Sequence, residues 1–280
     1  MPAFLLEHEP LLRFGAFAGV LLAMAVWEAA APRRRRSVTR WIRWPGNLGI
    51  AALNTLLLRV LFPVAAIGLA SLAGARGWGL LNNLEAPGWF KVAVAFVALD
   101  LAIYLQHVLA HAVPVLWRLH RMHHADLDFD VTTGVRFHPL EILLSMALKL
   151  AIVAAIGAPV LAVLVFEVAL NATSLFNHGN VGLPGRVDRV LRLLVVTPDM
   201  HRVHHSIVPC ETNSNFGFNL PWWDRLFGTY RGAPAAGHEG MTIGIDGFRD
   251  PAQLRLDRML VQPFVGATGS YPINSRPASS

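Results

Sequence analysis

Four stretches of this chain are longer and more apolar than a soluble domain tolerates. They run over 11–30, 48–74, 90–113 and 140–177. A bilayer core of about 30 Å is crossed by roughly 20 residues of helix. The first three runs therefore each supply one span. The fourth is too long for one helix and breaks at Gly157–Ala158–Pro159, which predicts a hairpin of two shorter helices. The first run lacks a basic start and a small-residue cleavage site, so it is kept as a helix rather than removed as a signal peptide. The expected fold is all-α and integral to the membrane, with about four to five hydrophobic helices and a cytoplasmic helical cap. Composition agrees: 54% of the 280 residues are hydrophobic and 15% charged, against about 25% charged in a soluble domain.

The charges give an orientation. Arg33 to Arg36, Arg40 and Arg43 lie between the first two runs, whereas the next loop carries only Arg76. Arginine-rich loops stay in the cytoplasm. Counting crossings from there places 114–139, and everything from His178 onward, on the cytoplasmic side too. The expected setting is a bacterial inner membrane. The formal charge of +6 would suggest nucleic acid in a soluble chain, but here its strongest run directly follows an apolar segment, so a membrane-flanking role fits better and no nucleic-acid partner is expected. A single cysteine, Cys210, excludes a disulfide framework and any iron–sulfur site.

At the cytoplasmic ends of these helices the chain spells one phrase twice: "HRMHH" at 120–124 and "HRVHH" at 201–205. On a helix, positions i, i+3 and i+4 span an arc of about 100°, so each phrase aims three imidazoles at one point and turns its arginine away. His107 and His111, four apart, share a face as well. Neutral imidazole is a ligand for Fe, Zn, Cu or Ni. Eight such side chains exceed one metal's coordination number, so two metals are implied. His178, in "NHGN" at the end of the fifth helix, is the best ninth ligand. His138 is a tenth candidate, but Pro139 biases it to extended backbone, which suits a supporting role. Metal-bound histidines usually donate their other N–H to a carboxylate or carbonyl; Asp126, Glu141, Asp199 and Glu211 are candidates, each equally readable as a solvated charge. His8 and His238 read as ordinary amphipathic side chains. Asp100, inside the third run, needs a buried partner.

The order His107-x3-His111, His120-x2-His123-His124, His201-x2-His204-His205 resembles the fatty acid hydroxylase / sterol desaturase superfamily of membrane di-iron oxygenases. "RFHPLE", 136–141, and "ETNSNFGFNLPWWDRLFGTY", 211–230, are similar to the segments that follow its second and third histidine boxes. The resemblance covers roughly 95–265. It implies two non-heme irons, O2 as cosubstrate, and hydroxylation or desaturation of a lipid C–H bond. It also implies an electron donor protein of ferredoxin or cytochrome type, since no flavin, heme or iron–sulfur motif is visible. It does not choose among hydroxylation, desaturation and ether cleavage.

Two other classes stay open at this point: a di-zinc lipid hydrolase, and a non-enzymatic membrane protein that binds or transports metal. A transporter would place its ligands near the bilayer midplane, whereas these boxes sit at helix ends. A heme site would need two facing histidines rather than triplets. The chain divides into N-terminal membrane helices with a basic loop (1–89), the histidine-box domain (90–265) and a tail expected to be disordered (266–280). "RVDRVLRLLVV", 186–196, and "PWWDRLF", 221–227, are candidates for the headgroup layer.

Overall fold

The structure, a computed structural model, describes residues 8–62 and 65–274. Five helical segments are long and apolar enough to cross a membrane: Glu9–Ala30, Arg40–Arg76, Gly88–Ala112, Pro139–Ile156 and Val160–Asn177. The second is two helices. The chain thus has α1 (Glu9–Ala30), α2 (Arg40–Leu61), α3 (Ala65–Arg76), α4 (Gly88–Ala112), α5 (Pro114–His124), α6 (Pro139–Ile156), α7 (Val160–Asn177), α8 (Gly185–Leu191), α9 (Pro198–His204) and α10 (Trp222–Leu226), with shorter turns between and after them. Among the described residues no strand forms; Pro32–Val181 and Ser206–Ile243 are isolated bridges. The chain is an all-helical integral membrane protein.

α6 and α7 form the expected hairpin. Gly157 ends α6 with φ of +67°, and Pro159 caps α7. Glycine takes the left-handed conformation without a Cβ penalty. The loop before α4 leans on this bend so closely that a Cβ on Gly79 would lie 2.0 Å from the Gly157 nitrogen. Small residues let the helices approach: Ala66 and Ala70 of α3, Ala95 and Leu99 of α4, Val153 of α6 and Ala162, Val163 and Phe166 of α7 form one buried cluster. In lipid, close packing of this kind replaces the hydrophobic drive that joins helices in water.

The second span is longer than its apolar run. The apolar run covers 48–74, yet α2 already begins at Arg40. The added turns stand in the cap. Arg43 is fully buried there, its guanidinium gripping Asp126 at 2.7 and 2.8 Å and Asp130 at 2.6 Å. Asn47 donates to Asp126 and Thr132. α1 joins the same layer, since Glu28 accepts from the backbone N–H groups of Val131 and Asn180. The cap-facing ends of α1, α2, α4, α6 and α7 therefore meet at one end of the bundle.

Residues 266–274 are not the free tail that their composition suggests. Tyr271 is buried and stacks on Trp117 at 5.5 Å, Asn213 donates to the Tyr271 carbonyl, and the Ile273 N–H donates to the His111 carbonyl. Residues 275–280 lie outside the described residues. The segment anticipated as an amphipathic helix over 186–196 is helical only over Gly185–Leu191. Val187, Val190, Leu193 and Leu194 are nonetheless exposed, as are Trp222, Leu226 and Phe227. An apolar surface beside Arg186, Arg189 and Arg225 suits the headgroup layer.

Replacing Arg43 with Ala would leave Asp126 and Asp130 buried and unpaired. Breaking a buried ion pair from one side costs about 3–5 kcal/mol, so R43A is expected to melt well below the parent in detergent. An unchanged melting temperature would show that the network carries no stability.

Candidate metal centre

Nine histidines meet at the cap end of the bundle, in two groups. His107, His111, His120, His124 and His204 form one; His123, His178, His201 and His205 form the other. Within each group the ligand-capable atoms lie within 4.8 Å of one another, and every ring is buried. The nine come from four places. α4 contributes His107 and His111, α5 the triplet 120/123/124, α9 and its C-cap the triplet 201/204/205, and the C-cap of α7 contributes His178. Each triplet divides between the groups, because neighbours i+3 and i+4 point to either side of the line between them.

The outer nitrogens explain how the rings are aimed. The Nδ1–H of His107 donates to the Phe216 carbonyl (2.7 Å), that of His123 to Arg136 (3.1 Å), that of His178 to Ser174 (2.7 Å) and that of His204 to Ser214 (2.7 Å). His120 donates to the Glu141 carboxylate at 2.7 Å, and His111 to Asn213 Oδ1 at 3.0 Å. The Asn213 amide is oriented by its own donation to the Tyr271 carbonyl. A carbonyl only accepts, so Nδ1 carries the proton and Nε2 keeps its lone pair.

Five pairs of rings face each other through Nε2 at 3.1–3.2 Å, and in two of these pairs acceptors fix both Nδ1 protons. The Nε2 atoms of His107 and His120 are 3.1 Å apart, and those of His123 and His178 are 3.2 Å apart. In both pairs each Nδ1 already holds the proton, so the two Nε2 atoms present lone pairs to each other. They cannot hydrogen-bond, and their approach is repulsive unless a cation stands among them. One such pair lies in each group. His204 Nε2 and both ring nitrogens of His205 are also buried without a partner, a cost avoided in most interiors. Burial first, and neighbouring imidazoles second, push His123, His124, His201, His204 and His205 well below the ordinary imidazole range; burial takes His178 down to about 3. The rings are neutral donors, and the residues fit two metal ions.

The supporting residues divide. Glu141 stands on His120 as anticipated from its type. Asp126, Asp199 and Glu211 touch no histidine of either group. Asp126 is taken by Arg43: burial alone would raise its carboxyl, but the guanidinium holds it well below the usual range. Asp199 pairs with Arg202 and lies 3.6 Å from Arg33 and 3.7 Å from His238. Glu211 accepts from the Ala235 N–H. His138 belongs to neither group. It caps α6, its Nδ1 accepting from the Leu140 N–H, and its Nε2 donates to the Leu260 carbonyl. Backbone carbonyls fill most of the places expected for acids, and a carbonyl has no signature in sequence. The signal that was present is the segment "NSNF", 213–216, which supplies three of the six acceptors.

The arginines of the two boxes turn to backbone carbonyls rather than to the histidine groups. Arg121 donates to the carbonyls of Gln262, Val265 and Ala267, and Arg202 to those of Gly179 and Val181. Asp100 finds its partners in the segment after the third box: it accepts from Trp223 Nε1 and Asn219 Nδ2, both at 2.8 Å, and from the Leu220 N–H. The membrane helix α4 is thereby fastened to the loop that supplies the carbonyl acceptors.

Comparison with known proteins meets this geometry. Residues 92–229 match the fatty acid hydroxylase family. Through this segment the chain is similar to the fatty acid hydroxylase family. The ornithine lipid hydroxylase of Rhizobium tropici is 35% identical over 162 residues, covering 58% of this chain and 47% of that protein. An alkylglycerol monooxygenase of Xenopus tropicalis is 27% identical over 225 residues, covering 77% of this chain and 47% of that protein. The cholesterol 25-hydroxylase of Rattus norvegicus is 28% identical over 145 residues, covering 51% of this chain and 47% of that protein. The chain spans about half the length of these relatives. No solved structure matches it.

Replacing Glu141 with Leu removes the acceptor that orients His120. Loss of such a partner costs about 10–100-fold in metal affinity, readable by competition with a chelator. Glu211→Gln, whose carboxylate touches no histidine, is expected to leave affinity within about twofold of the parent, and equal losses in the two variants would contradict the assignment.

Proposed function

We propose that the chain is a membrane-bound, non-heme di-iron oxidoreductase that uses O2 to hydroxylate or desaturate a lipid. The observation that carries this reading is the face-to-face pair of Nε2 lone pairs in each histidine group. One cation in each group would relieve the contacts of that group. His107, His111, His120, His124 and His204 would hold one, and His123, His178, His201 and His205 the other. When bound, two irons supply the O2-dependent oxidant that an unactivated C–H bond requires, which zinc cannot generate.

The chain's own residues contribute position and exclusion. The acceptors on Nδ1 fix each ring before metal arrives, so the ligand set is preorganised. Burial of every ring keeps bulk water from the centre. Phe137 stacks on His123 at 4.4 Å, and Phe218 packs 5.1 Å from His107 and 5.8 Å from His201. These rings give the centre an apolar lining suited to a hydrocarbon. The substrate reaches it from the bilayer, and the relatives' names, which span an ornithine lipid, alkylglycerols and cholesterol, favour a lipid without selecting one. The arginine-rich loop 33–36 enters the same cap as the histidines, which supports a cap facing the cytoplasm of a bacterial inner membrane. Electrons come from an external donor protein of ferredoxin or cytochrome type.

Anaerobically purified protein is expected to contain two irons per chain and, in cells, to change the lipid profile through an oxidised product. The variant with His120, His123 and His124 all replaced by Ala should lose both. One metal per chain, or metal content unchanged in the triple variant, would reject the di-iron reading. Orientation has a separate test, because Cys210 is exposed on the cap. A membrane-impermeant maleimide should label it only after cells are opened; labelling of intact cells would reverse the topology.

A further inference from the structure

The proposed reaction consumes electrons. Hydroxylation of a lipid carbon balances as R–H + O2 + 2 e⁻ + 2 H⁺ → R–OH + H2O, and no motif for a second redox group is present in the sequence. The electrons therefore come from a donor beyond the histidine-box region, by a route the lipid does not occupy.

Two adjoining hollows of about 470 and 360 Å³ open on one flank of the cap, and Cys210, Asn213 and Thr229 line both. Val108 of α4, Phe216 and Ile273 wall the first; Ser214, Tyr230 and Arg231 wall the second. Their floor is the set of residues that hold the five-histidine group from behind. Asn213 Oδ1 accepts from His111, the Ser214 carbonyl from His204 and the Phe216 carbonyl from His107. The Phe216 ring lies 5.1 Å from that of His111 and 5.4 Å from that of His107.

A molecule seated in this groove therefore meets the Nδ1 side of three ligands. Their rings stand between it and the point where the Nε2 atoms converge. No C–H bond can reach a metal from there. An electron can, because it crosses an imidazole without any atom moving. Resting on the di-iron reading, we propose that this groove is the docking site of an acidic one-electron carrier protein. It delivers the two electrons singly to the five-histidine group through His111, His204 and His107. Charge selects the occupant. The one charged side chain lining either hollow is Arg231, and Arg225 stacks 4.2 Å over the ring of Tyr230, which lines the second. Among the described residues no acid lines either hollow. A basic rim raises the encounter rate of an acidic partner and makes it salt-dependent. Ile273, which lines the first hollow, and Val208, next in the chain to the lining residue Pro209, are exposed and supply the apolar contact a docked surface needs.

Cys210, the chain's only cysteine, is exposed inside the groove and makes the test direct. The iron-loaded protein is alkylated with pyrenyl maleimide, with Cys210→Ser treated identically as control. The probe is a plant-type [2Fe–2S] ferredoxin. Two quantities are read: its binding to the protein at low and high salt, and its anaerobic oxidation followed by its own absorbance. Alkylation is expected to slow ferredoxin oxidation and weaken binding by about tenfold or more, and Arg231→Glu to weaken binding by about tenfold. Dithionite should reduce alkylated and unmodified protein alike. Ferredoxin oxidation at the unmodified rate after alkylation would overturn the proposal. So would a ferredoxin that reduces neither form while dithionite reduces both. An equal loss of lipid product with ferredoxin and with dithionite would make the groove a lipid site and overturn it as well. Failure of dithionite to reduce either form would instead bring down the di-iron reading on which the proposal rests.

Discussion

The structure turns on the proton carried by each Nδ1. Once a carbonyl or carboxylate takes that proton as a hydrogen bond, the opposite nitrogen of the ring is left as a lone pair aimed inward. Six of the nine histidines are set in this way. The Nε2 contacts of 3.1 and 3.2 Å are repulsions that a cation in each group would relieve. So many imidazoles can be buried together only because neutral rings are what the environment favours and what a metal needs.

The surrounding architecture serves to hold those acceptors still. Glu141 rides on the first turn of α6, Ser174 on the last turn of α7, and the 213–216 segment is pinned between α9 and α4. Asp100 fastens residues 219–223, just beyond that segment, to a membrane helix, and Asn213 links His111 to the Tyr271 carbonyl. A displaced acceptor rotates a ring, and a rotated ring misdirects a lone pair. This is why residues that touch no metal sit in a dense polar network at the bundle's end.

The spans and the eight box histidines were legible in the sequence because both are periodic; His178 was legible only from its place at a helix end. An apolar run measures a bilayer, and i, i+3, i+4 spacing makes a helical face. The hairpin break at Gly157–Pro159 was legible because glycine and proline each have one conformational meaning. The acceptors were not. Asp126 reads like a plausible partner for a histidine, yet a buried Arg43, far earlier in the chain, outcompetes any imidazole for it. Asp199 is lost to Arg202 in the same manner. Phe216 and Ser214 act through their backbones, which every residue shares. The segment 266–274 looks free by composition, but its place is set by Trp117, whose face is open to stacking.

The Arg43 pairing also bears on how the polypeptide can be divided. The segment 92–229 that carries the family resemblance contains every histidine of the site but not the cation that neutralises Asp126 and Asp130. That cation arrives on a helix made earlier, together with the Glu28 carboxylate that closes the turn at Val131. The histidine region is therefore not an autonomous module. Its loop at 126–131 is held from the side of α1 and α2, by Glu28 and Arg43. Excised at residue 90 it would retain its ligands and lose the scaffold that makes them converge.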